Sequence, residues 1–365
     1  MSIPLAGIRL SAPEPSAPPE ASRAESASRA ASVPAVELVP PVALAPMAGI
    51  TDLPFRRLAA RLGAGLVVSE MVASREMVAR RPSARTRTAL GLGLGPEAAR
   101  VPTAVQLAGR EPGIMAEAAR MAEAEGARLI DINLGCPARR VTSRSGQGAT
   151  GSGLLREPDL ALRLIEAAVR AVSVPVTVKT RLGWDDACTA VPPLLRRARD
   201  AGVAMVTLHG RTRCAFYTGR ADWAAIGLRT AGLGLPVLAN GDIDGPEAAR
   251  AAVAASGAQG VMVGRAAPGR PWLLAGIGAA LAGTAPPPVP QGAALADLVA
   301  AHYEDILAFH GPVAGLRTAR KHLAAYLEHA GVPGPLRPGI VTATSPAEVL
   351  RRLPAAFADA RSLAA

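Results

Sequence analysis

The feature that most limits what this chain can fold into is an eightfold alternation that begins at residue 42. A short apolar run rich in β-branched residues is followed by a loop and then by an Ala-rich stretch, and the unit recurs. The runs are 42–47 (VALAPM), 66–71 (LVVSEM), 103–108 (TAVQLA), 128–134 (RLIDINL), 174–180 (VPVTVKT), 204–209 (AMVTLH), 236–241 (PVLANG) and 260–264 (GVMVG). Stretches between them, such as 114–125 (IMAEAARMAEAE), place apolar residues at the spacing of an amphipathic helix. Continuous apolar runs suit strands buried on both faces, and alternation with helices makes the sheet parallel. Eight such units over about 240 residues match the count and length of a TIM (β/α)8 barrel. A doubly wound open sheet shares the alternation and stands as the alternative at this level.

The texture changes after residue 280. Residues 283–291 begin with the Pro-rich GTAPPPVP and read as a linker. Helical patterns follow at 293–310, 313–331 and 346–363 without strand signals, which predicts a small helical domain over 292–365. Residues 39–282 are left for the barrel. At the other end, residues 1–38 are rich in Ala, Ser, Pro and Glu, which predicts a disordered tail rather than a signal peptide. No apolar run approaches the length of a membrane span, so none is expected. Cys136, Cys188 and Cys214 show no paired spacing, which argues against a disulfide framework or a metal site and for a reduced, cytoplasmic setting. Nothing implies a stable protein partner, and a monomer is expected.

Composition enters as a sieve. Ala, Gly, Pro and Arg dominate, as in a high-GC coding background, and the chain holds two Lys against 38 Arg and only two Asn. A position that stays Lys or Asn against such a bias has a reason to. Lys179, Asn133 and Asn240 all fall near the ends of predicted strands. The formal net charge of +11 calls for a polyanionic partner, with Arg-rich codon usage as the competing explanation. Residues 1–40 carry three Arg and four Glu, and residues 292–365 carry seven Lys/Arg and six Asp/Glu. The excess therefore lies in the barrel segment. There Arg75, Arg80, Arg81, Arg85 and Arg87 face one nearby acid, Glu76, while Arg139, Arg140 and Arg144 form a second cluster.

A TIM barrel works at the C-terminal ends of its strands. In order, the runs end in Pro46-Met47-Ala48, Glu70, Gln106, Asn133 leading to Cys136, Lys179, His209 with Arg211 just beyond, Asn240-Gly241-Asp242, and Gly264-Arg265. Each has a plainer explanation. Gln106 fits a cap on a barrel layer, Lys179 a partner for Glu70 or Asp131, His209 a core histidine, and Asn240-Gly241-Asp242 a turn. Met47 fits ordinary packing, and Cys136 a small buried hydrophobe, although it sits between Gly and Pro in a loop. Jointly they form a polar ring that random loop polarity would not produce. Loops after the last two strands can hold a phosphate, and Gly241, Gly264 and Arg265 suit that task. Lys179 and Gln106 would then address the polar edge of an isoalloxazine ring. The only Gly-rich run, 91–95 (GLGLG), neither follows a strand nor fits a dinucleotide fingerprint.

Seven segments carry a resemblance. LAPMAGITDLPFRRLA (44–59), VQLAG (105–109), DINLGCPARRVT (131–142), VTVKTRLGW (176–184), LHGRT (208–212), LANGDI (238–243) and VMVGRA (261–266) resemble the tRNA-dihydrouridine synthases, most closely their bacterial DusB branch. ARKHLAAYL (319–327) is similar to the helical domain of that branch. The resemblance spans roughly residues 40–330. It implies an FMN enzyme that uses NADPH to reduce particular uridines of the tRNA D-loop. Carried over, the FMN contacts are Pro46, Met47, Ala48, Gln106, Lys179, His209, Asn240, Gly241, Asp242, Gly264 and Arg265, and Cys136 matches the catalytic cysteine. The stretches at 142–151 and 81–97 look expanded relative to the family pattern.

The mechanism this implies sends hydride from FMN N5 to uracil C6 and a proton from Cys136 to C5 on the opposite face. The base must first leave its stack. Asn133 is expected to hold the base edge, with Arg139, Arg140, Arg144, Arg211 and the 75–87 cluster near its phosphates. Arg317, Arg320, Lys321 and His322 are expected to grip tRNA from the helical domain, a solvated basic face being the alternative. Two rivals remain at this stage. One is an FMN barrel acting on a free pyrimidine, and the other is a tRNA-binding protein without catalysis.

Overall fold

Each of the eight runs forms a strand. The computed structural model describes residues 7–11, 35–91, 100–143 and 148–358. Its strands, in chain order, are β1 (Ile8–Leu10), β2 (Val36–Leu38), β3 (Val42–Leu44), β4 (Leu66–Val68), β5 (Val72–Ala73), β6 (Thr103–Ala108), β7 (Leu129–Leu134), β8 (Val176–Arg181), β9 (Met205–His209), β10 (Val237–Asn240) and β11 (Gly260–Val263). The parallel sheet runs β4-β3-β11-β10-β9-β8-β7-β6-β5. It closes because β4 also pairs with β6, at Val67↔Thr103 and Val68↔Ala104. Closure decides between the two architectures, and the chain is a TIM barrel followed by C-terminal helices.

Strand ends differ from the apolar runs where backbone chemistry intervenes. The first run stops pairing as a strand at Leu44, although Ala45 still donates to the Val263 carbonyl at 2.8 Å. Pro46 has no N–H to continue the ladder. The chain then turns through Pro46–Thr51 into the helix Leu53–Arg61. Asp52 caps that helix by accepting from the Phe55 N–H at 3.1 Å, with Pro54 in its first turn.

The N-terminal segment corrects the expectation of a tail reaching residue 38. β1 and β2 pair antiparallel, Ile8↔Leu38 to Leu10↔Val36. Their alternate side chains, Ile8, Leu10, Val36 and Leu38, join a cluster that includes Leu66, Ala104, Leu129, Met205 and Leu238 at or near strand starts and reaches up the barrel to Ala45, Val68 and Met262. The hairpin thus plugs the end of the barrel opposite the predicted site. Period-2 apolar triplets provide the plug, and low-complexity surroundings hide them. Residues 12–34 lie outside the described residues.

The C-terminal helices are Gly292–His310, Pro312–His329, Arg337–Val341 and Pro346–Phe357. Arg337–Val341 has no counterpart in the sequence reading, and residues 359–363 of the last expected helix lie outside the described residues. Their core includes two barrel side chains, Leu58 and Trp272. Polar contacts reinforce the junction: Arg57 reaches Asp305 at 2.9 Å, and His310 reaches Asp52 at 2.7 Å. His322 belongs here. It is 1% exposed, its ring 4.9 Å from Phe55 and from His302, so it is interface packing and not a contact for tRNA. Burial first, with Lys321 and His310 adding to it, pulls its pKa down to about 4, which keeps it uncharged near neutral pH. Among the described residues no helix is long and apolar enough to cross a membrane.

Candidate active site

A cleft of about 430 Å³ opens where β3, β8, β9, β10 and β11 end. Its lining includes Pro46, Met47, Lys179, His209, Asn240, Gly241, Asp242, Gly264 and Arg265, nine of the residues that sequence placed at a flavin. The volume falls in the ordinary range for small-molecule sites. Gly241 adopts φ +111°, and a Cβ there would meet Ala221 Cβ at 2.8 Å and the His209 ring at 3.0 Å, so only glycine fits. Gly264 differs. A Cβ there would touch only Ala45 and Met47 at 3.7 and 3.8 Å, which leaves a cradle beside two cleft-lining residues.

Charge in the cleft is arranged for an anionic or electron-rich guest. Lys179 Nζ donates to Asn240 Oδ1 at 2.9 Å, and Asn240 Nδ2 donates to the Met262 carbonyl at 2.8 Å. The rare lysine and the rare asparagine thus hold each other. Burial, then Arg181, brings the Lys179 pKa down from 10.5 to about 8 despite Asp131 and Cys136 nearby. Burial drives His209 down to about 2, assisted by Lys179, Arg181, Arg211 and Arg265. His209 is therefore a neutral hydrogen-bonding ring. Groups so perturbed inside a cleft concentrate at functional sites. At the far end Arg270, which sequence missed, donates to the Asp244 carbonyl at 2.7 Å and the Ala266 carbonyl at 3.1 Å. It ties together the loops after β10 and β11. Glycines that admit a close approach, neutral hydrogen-bonding groups and cations at both ends make a lining that would suit a flavin bearing a phosphate.

Beneath the cleft, three strands share a polar layer. Gln106 Nε2 donates to Asp131 Oδ2, Thr177 Oγ1 to Asp131 Oδ1, and Asn133 Nδ2 to Gln106 Oε1, all at 2.7 Å. Gln106 is 1% exposed, and its side chain is bonded to two side chains of β7 rather than to backbone. Burial raises the Asp131 carboxyl, and the Gln106 and Thr177 bonds and Lys179 oppose the shift. Glu70 is not the partner of Lys179; it accepts from the Gly49 N–H and steadies the loop after β3. Ala48 lies exposed at the tip of that loop.

The Cys136 loop grows out of this layer. Asn133 Oδ1 accepts from the N–H groups of Gly135 at 3.1 Å and Cys136 at 2.9 Å. Asn133 therefore spends its oxygen on the cysteine loop, leaving one Nδ2 hydrogen for a ligand. On the other side Ser152, fully buried, donates to the Cys136 carbonyl from its N–H at 3.1 Å and its hydroxyl at 2.8 Å. Gly151, at φ +56°, packs against Cys136, where a Cβ would sit 3.0 Å from its carbonyl oxygen. Arg110 anchors the segment by a bidentate bond to Glu157 (3.0 and 2.5 Å) and by donating to the Ala149 carbonyl at 3.0 Å. Both ends of the Cys136 peptide unit are thus held. Lys179 and Arg181 lie close enough for Cys136 to act on them electrostatically. Residues 144–147, with Arg144, lie outside the described residues.

Arg211 corrects another expectation. It is 4% exposed and donates to Asp242 Oδ1 and Oδ2 at 2.9 and 2.5 Å, and to the carbonyls of Thr218 and Gly219 at 3.0 and 2.7 Å. A guanidinium so committed is not offered to a phosphate. Burial alone would raise Asp242, but Arg211, the Ala221 N–H and Arg265 outweigh it and hold the carboxyl below its ordinary value. Arg139 and Arg140 are exposed on the short helix that follows Cys136. Arg317, Arg320 and Lys321 are exposed on the helix Pro312–His329. Lys321 Nζ lies 2.9 Å from where a Gly49 side chain would begin, so this helix brings basic charge to the loop after β3. Of the 75–87 cluster, Arg75, Arg80, Arg81 and Arg85 are exposed, while Arg87 pairs with Glu76 at 3.4 Å and Arg75 with Glu111. Glu111 is a second acid that sequence proximity could not reveal. Tyr217, in the loop after β9, also lines the cleft and was missed.

A dihydrouridine synthase family model matches residues 43–361, the barrel and the helices together. The chain belongs to that family. It is accordingly an enzyme of a flavin-dependent oxidoreductase family. A "Probable tRNA-dihydrouridine synthase" of Rhodobacter capsulatus is 54% identical over 313 residues, covering 86% of this chain and 93% of that protein. One from Rhizobium leguminosarum is 48% identical, covering 84% and 92%. A "tRNA-dihydrouridine synthase B" of Xanthomonas campestris is 46% identical, covering 77% and 81%, which supports the DusB-like placement within the family.

Proposed function

We propose that the chain reduces specific uridines of the tRNA D-loop to 5,6-dihydrouridine, with FMN as its cofactor and NADPH as reductant. The observation that carries this reading is the pairing of a Lys179-capped cleft with a thiol loop fixed at both ends beside it. Bound FMN would accept electrons from NADPH and deliver hydride to C6 of the uracil ring. Pro46, Met47, Gly241 and Gly264 would border it, Lys179, His209 and Asn240 would bind its polar edge, and Arg265 and Arg270 its phosphate. Cys136 supplies the proton at C5. General acids must be presented within hydrogen-bond reach, which is what the Asn133 and Ser152 anchors achieve. Asn133 offers its remaining Nδ2 hydrogen to the base edge. Arg139, Arg140, Arg317, Arg320 and Lys321 supply the exposed positive charge a tRNA backbone needs.

The deciding experiment incubates the purified yellow protein and NADPH with tRNA from a strain lacking this activity, and counts dihydrouridine by mass spectrometry. Stoichiometric dihydrouridine at a D-loop position is expected. Turnover of free uracil or orotate with untouched tRNA would favour the free-pyrimidine rival, and a colourless protein the non-catalytic one. Because exposed arginines and Lys321 carry the tRNA contacts, affinity is expected to fall steeply as salt rises, with a log–log slope of several units. A flat response in a binding titration would remove the basic surface from the interface.

A further inference from the structure

The loop after β9 exposes two aromatic rings beside the cleft. Phe216 is 42% and Tyr217 44% exposed, their rings edge to face with centroids 4.7 Å apart. Tyr217 lines the cleft, and its face is covered by the guanidiniums of Arg181 and Arg265 at 5.3 and 5.2 Å. Phe216 stands just outside the cleft. Its φ is +53°, a conformation that bulky side chains avoid.

The strain is held in place deliberately. Arg181, 2% exposed, donates from Nη1 to the carbonyls of Thr212 at 2.9 Å and Phe216 at 2.7 Å. Arg211 holds the carbonyls of Thr218 and Gly219 further along the same loop. Two buried cations thus fix four carbonyls of one surface loop, and the result is an apolar ring turned toward water. Backbone strain that surrounding structure over-determines gathers at ligand clamps. An enzyme that extracts a base from folded RNA leaves the neighbouring base without a stacking partner. The exposed ring of Phe216 beside the cleft offers a face of the kind such a base lacks.

We propose that Phe216 is a stacking platform for a nucleobase adjacent to the uridine entering the cleft. The inference rests on the tRNA reading above and adds a subsite to it. Such stacking tolerates any base identity, so the subsite would hold the RNA rather than select its sequence.

The test measures steady-state reduction of tRNA by the wild type and by F216A, F216G and F216W. Substrates are intact, or abasic at either neighbour of the uridine that the wild type is found to reduce. F216A is expected to raise KM for tRNA about 10-fold, within the range that loss of one stacked base produces. F216W should restore it. F216G guards against a folding artefact, because it removes the ring and relieves the positive φ together. It should show the same KM rise with a melting temperature no lower than wild type. An abasic neighbour should cost the wild type the same factor and cost F216A nothing further. Multiplying effects of variant and abasic site, or KM values within twofold of wild type, would overturn the platform. An active wild type with an indifferent F216A sinks this inference alone, whereas a wild type that leaves tRNA unreduced sinks the functional reading and the platform together.

Discussion

Cys136→Ala is expected to keep its flavin absorbance and lose dihydrouridine formation by a factor of about 10² to 10⁴, the usual worth of a general acid. The argument is local. The backbone of residue 136 is held by Asn133 through its N–H and by Ser152 through its carbonyl, and neither bond involves the thiol. The cleft is lined from β3, β8, β9, β10 and β11, whereas Cys136 follows β7. Truncation at Cβ should therefore leave the cofactor site intact and delete one proton donor. Single-turnover reduction of tRNA, followed by mass spectrometry, measures the loss. A rate within threefold of wild type would take Cys136 out of the mechanism.

Lys179→Met is expected to weaken FMN binding about 10- to 100-fold, the worth of one charge-assisted hydrogen bond in a partly dry site. The same change should not destabilise the apoprotein at neutral pH. A lysine held near pKa 8 instead of 10.5 keeps its charge against the preference of the fold, at a cost of order 3 kcal/mol. Methionine avoids that cost but leaves Asn240 Oδ1 without its donor, so the two effects partly offset. The pH dependence follows in sign. Between about pH 8 and 10.5 the unfolded chain binds more protons at this position than the folded one, so wild-type apoprotein gains stability as pH rises. Relative to Lys179→Met, the wild type should therefore fare worst below pH 8 and improve through that window. Flavin fluorescence titration and denaturant melts at pH 7 and 9.5 measure both effects. A variant with unchanged flavin affinity, or a stability difference that is the same at both pH values, would show that Lys179 does not carry its charge into the cleft.

Much of this was legible in the chain. An apolar strand buried on both faces and a helix buried on one leave unmistakable periodicities, and eight repeats of the pair allow few architectures. Strand ends face one mouth of a barrel, so residue order alone gathers the polar residues there toward one site. Lys179 and Asn240 stood out because the surrounding composition lacks their kinds, and they proved to be bonded to each other.

The residues that misled did so for one reason. Arg211 and His322 look in sequence like other basic residues, but the partners that bury them are distant in the chain: Asp242 for the first, Phe55 for the second. An arginine's role depends on which carboxylates and carbonyls surround it, and with 38 of them no local pattern separates a loop anchor from a phosphate contact. Ser152 and Arg110 escaped notice likewise, because their task is defined only by the Cys136 loop lying against them. So did the plug formed by β1 and β2, whose two triplets are separated by low-complexity sequence. Sequence by itself determined the repeating strand–helix unit, the mouth at which chemistry gathers and the thiol placed there, since each follows from local periodicity or from residue type. Closure of the sheet through β4 and β6, the commitment of Arg211 to Asp242, the two anchors of Cys136 and the outward turn of Phe216 were decided by tertiary structure alone. Each depends on a contact between distant segments, and the energy of such a contact belongs to the pair rather than to either residue.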